Sequence, residues 1–257
     1  MKTLFATIVL AALCLSFIKT KPFTPPGTMQ ISDTLFVDAT EITNFSWREY
    51  ENSIKSMYGV NSKEHLAALP DTLCWRDKLS NNEPYVQYYY RHIAYSQFPV
   101  VGISYEQAVA FCKWRTEQVK TLLSIKKDFA HSNFEYRLPT KAEWEFFSQS
   151  SSAFFKNNGK DEKGNALANF LSLQSNGDAT PPNGRYADVT SPVHSYSPNS
   201  LKLYNTIGNV AEIVADKGIC KGGGWRNQPE ECRVGKDMPY TKPTAWIGFR
   251  CVCVMKK

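Results

Sequence analysis

Apolar residues alternate with polar ones from Met29 to Val37 (Met29, Ile31, then Leu35, Val37), which predicts a strand pair turning at Ser32-Asp33. Thr43-Asn44 then offers a helix cap ahead of Phe45, Trp47, Tyr50, Ile54 and Met57 at helical spacing. From Gly59 to Gln97 the periodicity is weak and aromatics are frequent (Tyr85, Tyr88, Tyr89, Tyr90, Tyr95), the texture of a packed insertion. Tyr88 to Tyr90 offer a sticky surface as the alternative, although such residues more often pack an insertion against its own domain. Phe98 to Ile103 is a short apolar run. Ser104, with Gln107 three residues on, makes a reciprocal cap for a helix that carries Ala108, Phe111, Cys112 and Arg115 on one face and Val109 and Trp114 beside it. A second such cap, Thr140 with Glu143 behind Arg137-Leu138-Pro139, opens a helix from Lys141 to about Ser148. Beyond Ser150, Gly, Asn, Pro and Ser dominate, so long loops with few short strands are expected. The segment from Lys221 to Val254 reads as hairpins around Gly222-Gly223-Gly224-Trp225, Cys232-Arg233-Val234 and Trp246 to Val252. No internal repeat is visible. The fold class is α+β and rich in loops.

Composition adds that the 257 residues, 42% hydrophobic and 21% charged, suit a globular domain large enough to be stable without staples. The net charge of +6 is spread along the chain, with no basic cluster interleaved with aromatics, so no nucleic-acid partner is expected. At the N-terminus, Lys2, an apolar run from Leu4 to Ile18, Lys19 and Lys21 read as a secretory signal over residues 1–21. A Pro-rich stem over 22–28 and one domain over 29–257 follow. The run is too short for a confident membrane span, and no later stretch is long and apolar enough for one. Cys14, behind Ala11-Ala12-Leu13, offers a lipid anchor as the alternative to a plain signal, although Leu13 is unusual before such a cysteine. Export to the periplasm, the outer-membrane surface or the medium would let the other cysteines (Cys74, Cys112, Cys220, Cys232, Cys251, Cys253) form disulfides. Their spacing is not that of a zinc site, and counting alone leaves their pairing open. His92, His131 and His194 lack a metal-ligand partner nearby and receive no role.

Six motifs occur in one order: Val37-Asp38-Ala39-Thr40-Glu41-Ile42-Thr43-Asn44; Pro99-Val100-Val101-Gly102-Ile103-Ser104 with Ala108-Val109-Ala110-Phe111-Cys112; Tyr136-Arg137-Leu138-Pro139-Thr140-Lys141-Ala142-Glu143-Trp144-Glu145; Leu203-Tyr204-Asn205-Thr206-Ile207-Gly208-Asn209-Val210-Ala211-Glu212; Lys221-Gly222-Gly223-Gly224-Trp225; and Ile247-Gly248-Phe249-Arg250-Cys251. Together they resemble the formylglycine-generating-enzyme (sulfatase-modifying factor) family across residues 36–252. The resemblance implies a modified C-type-lectin-like fold. Tyr90-Arg91-His92 to Phe98 and Cys112-Lys113-Trp114-Arg115-Thr116 look most like the bacterial envelope lipoproteins of gliding motility and type IX secretion.

Active members of that family convert a protein cysteine to formylglycine, using oxygen and a copper(I) ion held by two thiolates. A soft ion wants two soft donors. The resemblance places the two positions at Asn227 and Cys232, and an amide does not replace a thiolate. Gly224 stands where the family has a functional serine, and Ala211 and Ile213 replace two tryptophans. Copper oxidation is therefore not expected, although Cys220 or Cys253 could approach Cys232. Glu230 and Glu231 would disfavour a thiolate there, while Arg233 and Lys236 would favour it. The resemblance further implies a Cys112–Cys251 disulfide and a calcium ion on Asn209 and Glu212. A second calcium site is implied at Asn169, with Asn183-Gly184-Arg185 a poor match to its other half. Arg250 reads as an ion-pair partner or carbonyl clamp. Three functions remain: a non-catalytic envelope module binding a protein or glycan, within a gliding or type IX secretion assembly; a formylglycine-forming oxidase using Cys232; and a secreted lectin-like protein binding through Trp225, Arg226 and Asn227.

Overall fold

The computed structural model describes residues 23–76, 82–126, 133–157, 159–173, 179–180 and 190–256. The expected signal, Cys14, His131 and Asn183-Gly184-Arg185 lie outside them. Among the described residues no helix is long and apolar enough to cross a membrane.

Two small sheets carry the domain. The strands of the first are β1 (Thr28–Gln30), β2 (Leu35–Asp38), β3 (Phe134–Arg137) and a C-terminal strand, Val252–Met255. Ser172–Leu173 and Ala179–Thr180 form a separate hairpin (β4, β5), and the second sheet is built from β6 (Ala211–Ile213), β7 (Ile219–Lys221), β8 (Met238–Pro239) and β9 (Ile247–Gly248). The C-terminal strand is thus β10. It runs antiparallel between β2 and β3, with Val252 opposite both Val37 and Arg137. In the second sheet the order is β8-β7-β6-β9, and β6 and β9 are parallel.

The helices are α1 (Asn44–Tyr58), α2 (Lys63–Ala68), α3 (Glu83–Tyr88), α4 (Tyr105–Ile125) and α5 (Lys141–Ser148). Thr43 caps α1 through the amide of Ser46. The reciprocal caps Ser104/Gln107 and Thr140/Glu143 both form, each satisfying amides that the first turn leaves free. The β1–β2 turn closes where expected, with the Ser32 hydroxyl accepting from the Thr34 and Leu35 amides.

The first sheet is buried on both faces, and the period of two sorts its side chains. Phe36, Tyr136 and Cys253 join a core with Trp47, Phe111 and Phe249, whereas Val37 and Val252 join Trp144, Phe147 and Ile207. In the first core Trp47 stacks on Phe111 at 5.4 Å and meets Phe249 edge-on at 5.9 Å, while its indole N–H donates to the Ala68 carbonyl. Residues 23–28 lie against the domain: Phe23 meets Phe134 at 5.7 Å and the Pro26 carbonyl accepts from Arg115. The 59–97 segment packs as an insertion, with Tyr89 and Tyr90 buried and Tyr88 half exposed.

Two expectations need correction. Phe45 and Met57 follow the period of α1 yet face outward, because one helix turn covers the core only near Trp47 and Tyr50. Val109, beside the buried face of α4, is exposed, and that face continues through Thr116, Val119 and Leu123. Cys232-Arg233-Val234 does not extend as a strand; it leaves a 3₁₀ turn over Pro229–Cys232, set by Pro229 and by Glu231 at the Gln228 amide.

Cys112 on α4 and Cys251 before β10 are buried thiols with their sulfurs 3.2 Å apart across 139 positions of chain. Under oxidising conditions we expect them to be joined. Non-reducing peptide mapping should recover the linked peptides, and reduction should lower unfolding stability by up to about 5 kcal/mol. Two free thiols in the oxidised protein would contradict this.

Candidate functional site

The motifs from β2, the 203–213 segment, the 222–232 segment and Arg250 converge around one buried ionic centre. Arg250 is fully buried, and its Nε and Nη2 donate to both Glu212 carboxylate oxygens at 2.6–2.9 Å. Its remaining donors reach the carbonyls of Asp38 at 2.9 Å and Tyr204 at 2.6 Å. Glu212 also accepts from the Trp144 indole at 2.7 Å. Two charges so deeply buried persist only because each is paired and hydrogen-bonded. Arg250 is therefore both the ion-pair partner and the carbonyl clamp, pinning β2, the 203–213 segment, β6 and α5 together.

Beside it lies Glu41, 1% exposed, whose two oxygens accept from Asn209 Nδ2 at 2.7 Å and Asn205 Nδ2 at 3.1 Å. Burial, reinforced by the neighbouring Glu212 carboxylate, raises its pKa to about 7 despite the opposing pull of Arg250. Asn209, with φ 61°, adopts a left-handed conformation that asparagine tolerates. Its Oδ1 accepts from Asn169 Nδ2 at 3.2 Å and the Ser191 amide at 2.7 Å.

The expected calcium ligands are thus brought together around this centre, but their donors are engaged. Glu212 is taken up by a guanidinium and an indole, and the side-chain oxygen of Asn209 faces N–H donors. A hard dication needs oxygens free to turn toward it, so this donor set does not fit calcium. Among the described residues no group of three or more His, Cys, Asp or Glu is arranged to hold a metal.

The thiol position fares similarly. Cys232 is fully buried in the core with Trp144, Phe147 and Val234, and its sulfur donates to the Gln228 carbonyl at 3.4 Å. Burial first, then Glu231 and Glu230, push its pKa up to about 12. Cys220 and Cys253, the sulfurs that could have approached it, sit in the other core and are held protonated by burial, with pKa values near 12. Asn227 is a turn brace: its Oδ1 accepts from the Gly224 amide at 3.0 Å and its Nδ2 donates to Glu231 at 3.3 Å. The residues present do not fit copper(I).

The glycines explain how tightly this loop closes. A Cβ on Gly223, at φ 64°, would collide with the Cys232 sulfur, and one on Gly224 would come within 2.8 Å of the Trp246 carbonyl. The space for a serine side chain at 224 is therefore filled by backbone.

The expected binding residues separate. Trp225 and Arg226 face a cleft of about 390 Å³, whereas Asn227 is buried beneath the loop. The cleft is completed by Trp75, Lys242 and Trp246, which sequence reasoning missed. Glu41 and Asn205 were also given no role. An acidic residue set between Thr40 and the apolar Ile42 was the available signal for Glu41; nothing local marked Trp75, which comes from the insertion.

The architecture defines a loop-rich α+β domain of the C-type-lectin-like kind. The chain matches the sulfatase-modifying factor enzyme 1-like domain over residues 9–255, and it belongs to that family. It is 31% identical to the formylglycine-generating enzyme of Mus musculus over 124 residues, 47% of this chain and 28% of that protein. To the formylglycine-generating enzyme of Bos taurus it is 30% identical over 121 residues, 46% of this chain and 27% of that one. The matched stretch is thus just over a quarter of those relatives. The crystal structure of CarF superposes with a TM-score of 0.53 at 18% identity, covering 90% of this chain and 96% of that one, a likeness of fold alone.

Two outcomes test the buried centre. Arg250→Met should lower unfolding stability by about 3–5 kcal/mol in chemical denaturation, because Glu212 is left as an unpaired buried charge. Glu41, raised in the folded state, ionises first in the unfolded chain as pH climbs from its ordinary range to about 7. The folded state should therefore lose up to roughly 3 kcal/mol across that window. Glu41→Gln should flatten the slope, and an unchanged slope would exclude this group as its source.

Proposed function

We propose that this chain is a non-catalytic binding module built on the formylglycine-generating-enzyme fold, exported to a bacterial envelope and working within a gliding or type IX secretion assembly. One observation carries the non-catalytic half: Cys232 is buried with its thiol on the Gln228 carbonyl, among the described residues no second sulfur is bonded to it, and the amide at 227 is engaged in bracing its own turn. A cuprous ion would have neither an ionised donor nor a pair of them. The binding half rests on the partly buried Trp225 and exposed Arg226 at an open cleft, on loops carried by a rigid scaffold. The envelope assignment rests on the N-terminal pattern and on the branch resemblance. The identity to mammalian formylglycine-generating enzymes favours the second reading, an oxidase acting on a protein cysteine, and one experiment separates the two.

Copper(I) titration of the purified chain against a chromophoric chelator should show no tight one-to-one binding. A cysteine peptide incubated with the chain, copper and oxygen should yield no aldehyde with a hydrazide probe. Stoichiometric copper binding that disappears in Cys232→Ser, together with aldehyde formation, would replace the binding module with the oxidase.

A further inference from the structure

The cleft beside Trp225 has a composition that points to its ligand. Its apolar wall is tryptophan: Trp75 is buried and stacks on Trp225 at 6.3 Å with the rings 14° from parallel, while Trp225 and Trp246 are partly buried and keep some surface at the cleft. The Trp225 indole N–H is fixed on the Ala245 carbonyl at 3.1 Å, so the ring is held in place before any ligand arrives. Arg226 lies over the Trp246 ring at 5.8 Å, and Lys242 stands on the same rim.

Charge on that rim is unbalanced. Among the described residues no carboxylate pairs with Arg226 or Lys242. Arg76, also at the cleft, is held by Glu83 through two hydrogen bonds, at 2.6 and 3.0 Å. The cleft's own carboxylate, Asp71, accepts from the Leu73 amide at 2.9 Å. Two unpaired cations therefore face outward beside flat indole surfaces. Cations flanking a fixed aromatic wall select a ligand with negative charge and a broad apolar face. The walls also carry Asp71, Asn82 and Thr244, a polar lining suited to hydroxyl groups more than to an aliphatic side chain.

We infer that this cleft binds an anionic sugar: a pyranose ring lies on Trp225 or Trp246 while its carboxylate or sulfate pairs with Arg226 and Lys242. The inference rests on the reading of the chain as a binding module and supplies the ligand class for it. It also assigns the work to residues from three separate segments, of which only Trp225 and Arg226 belong to the Gly-rich loop.

Tryptophan fluorescence and calorimetry on the full chain test it, with tetragalacturonate, neutral cellotetraose and an oligoglutamate peptide as probes. Tetragalacturonate should bind saturably and best, and its affinity should fall with added salt. The Arg226→Gln/Lys242→Gln double variant should weaken it about tenfold. Both side chains are exposed, so the variant leaves the core intact. Equal affinity for the two sugars, or an unchanged double variant, would overturn the charged-sugar assignment. Tighter binding of the glutamate peptide would replace it with an acidic peptide. No binding of any probe would remove the site. None of these results bears on the non-catalytic reading, which stands or falls on copper binding and aldehyde formation.

Discussion

The interaction on which this architecture depends is the buried pair of Arg250 and Glu212. A guanidinium and a carboxylate have been taken out of water at the junction of both sheets, which is costly unless every donor finds an acceptor. Here the arginine completes its shell with the carbonyls of Asp38 and Tyr204, and the glutamate completes its own with the indole of Trp144. Segments more than two hundred residues apart in the chain are therefore held in one geometry by directional bonds. In a domain with short strands and long loops, such bonds do what regular secondary structure does elsewhere. Glu41 forms a second tier of the same centre: its link to Asn205 and Asn209 fastens the loops that lead into β6.

The Gly-rich loop shows how one buried amide side chain can organise a whole turn. With asparagine at 227, the side chain turns inward to brace the Gly224 amide, and Glu231 completes the turn. Cys232 then packs as an apolar residue against the backbone of Gly223, and the Trp246 carbonyl approaches Gly224 too closely for any side chain there. These contacts support one another. A thiol at 227 would leave the Gly224 amide without its acceptor and the loop without its brace. What the closed loop presents outward is instead the indole of Trp225 and the guanidinium of Arg226.

Much of the fold was legible along the chain because the signals were local. The caps at Thr43, Ser104 and Thr140 act within four residues, and the alternation around Met29 to Val37 states a strand pair directly. Helix faces were less legible: Phe45 and Met57 obey the period but lie past the edge of what their helix covers. The role of Arg250 could be anticipated from its neighbours, while the identity of its partners could not. The cleft was half visible, through Trp225 and Arg226, and Trp75 and Lys242 were silent because they arrive from remote segments.

The sequence by itself determined the family, the α+β class, the helix starts and the asparagine at 227, since each depends on residue identity or on spacing within a few positions. Only the tertiary structure decided that Glu212 is bound to Arg250, that Asn209 turns its oxygen toward N–H donors, and that Cys232 is sealed in a core. Those outcomes depend on which distant groups share a buried volume, and in low-dielectric surroundings a polar group bonds to whatever partner the fold brings to it.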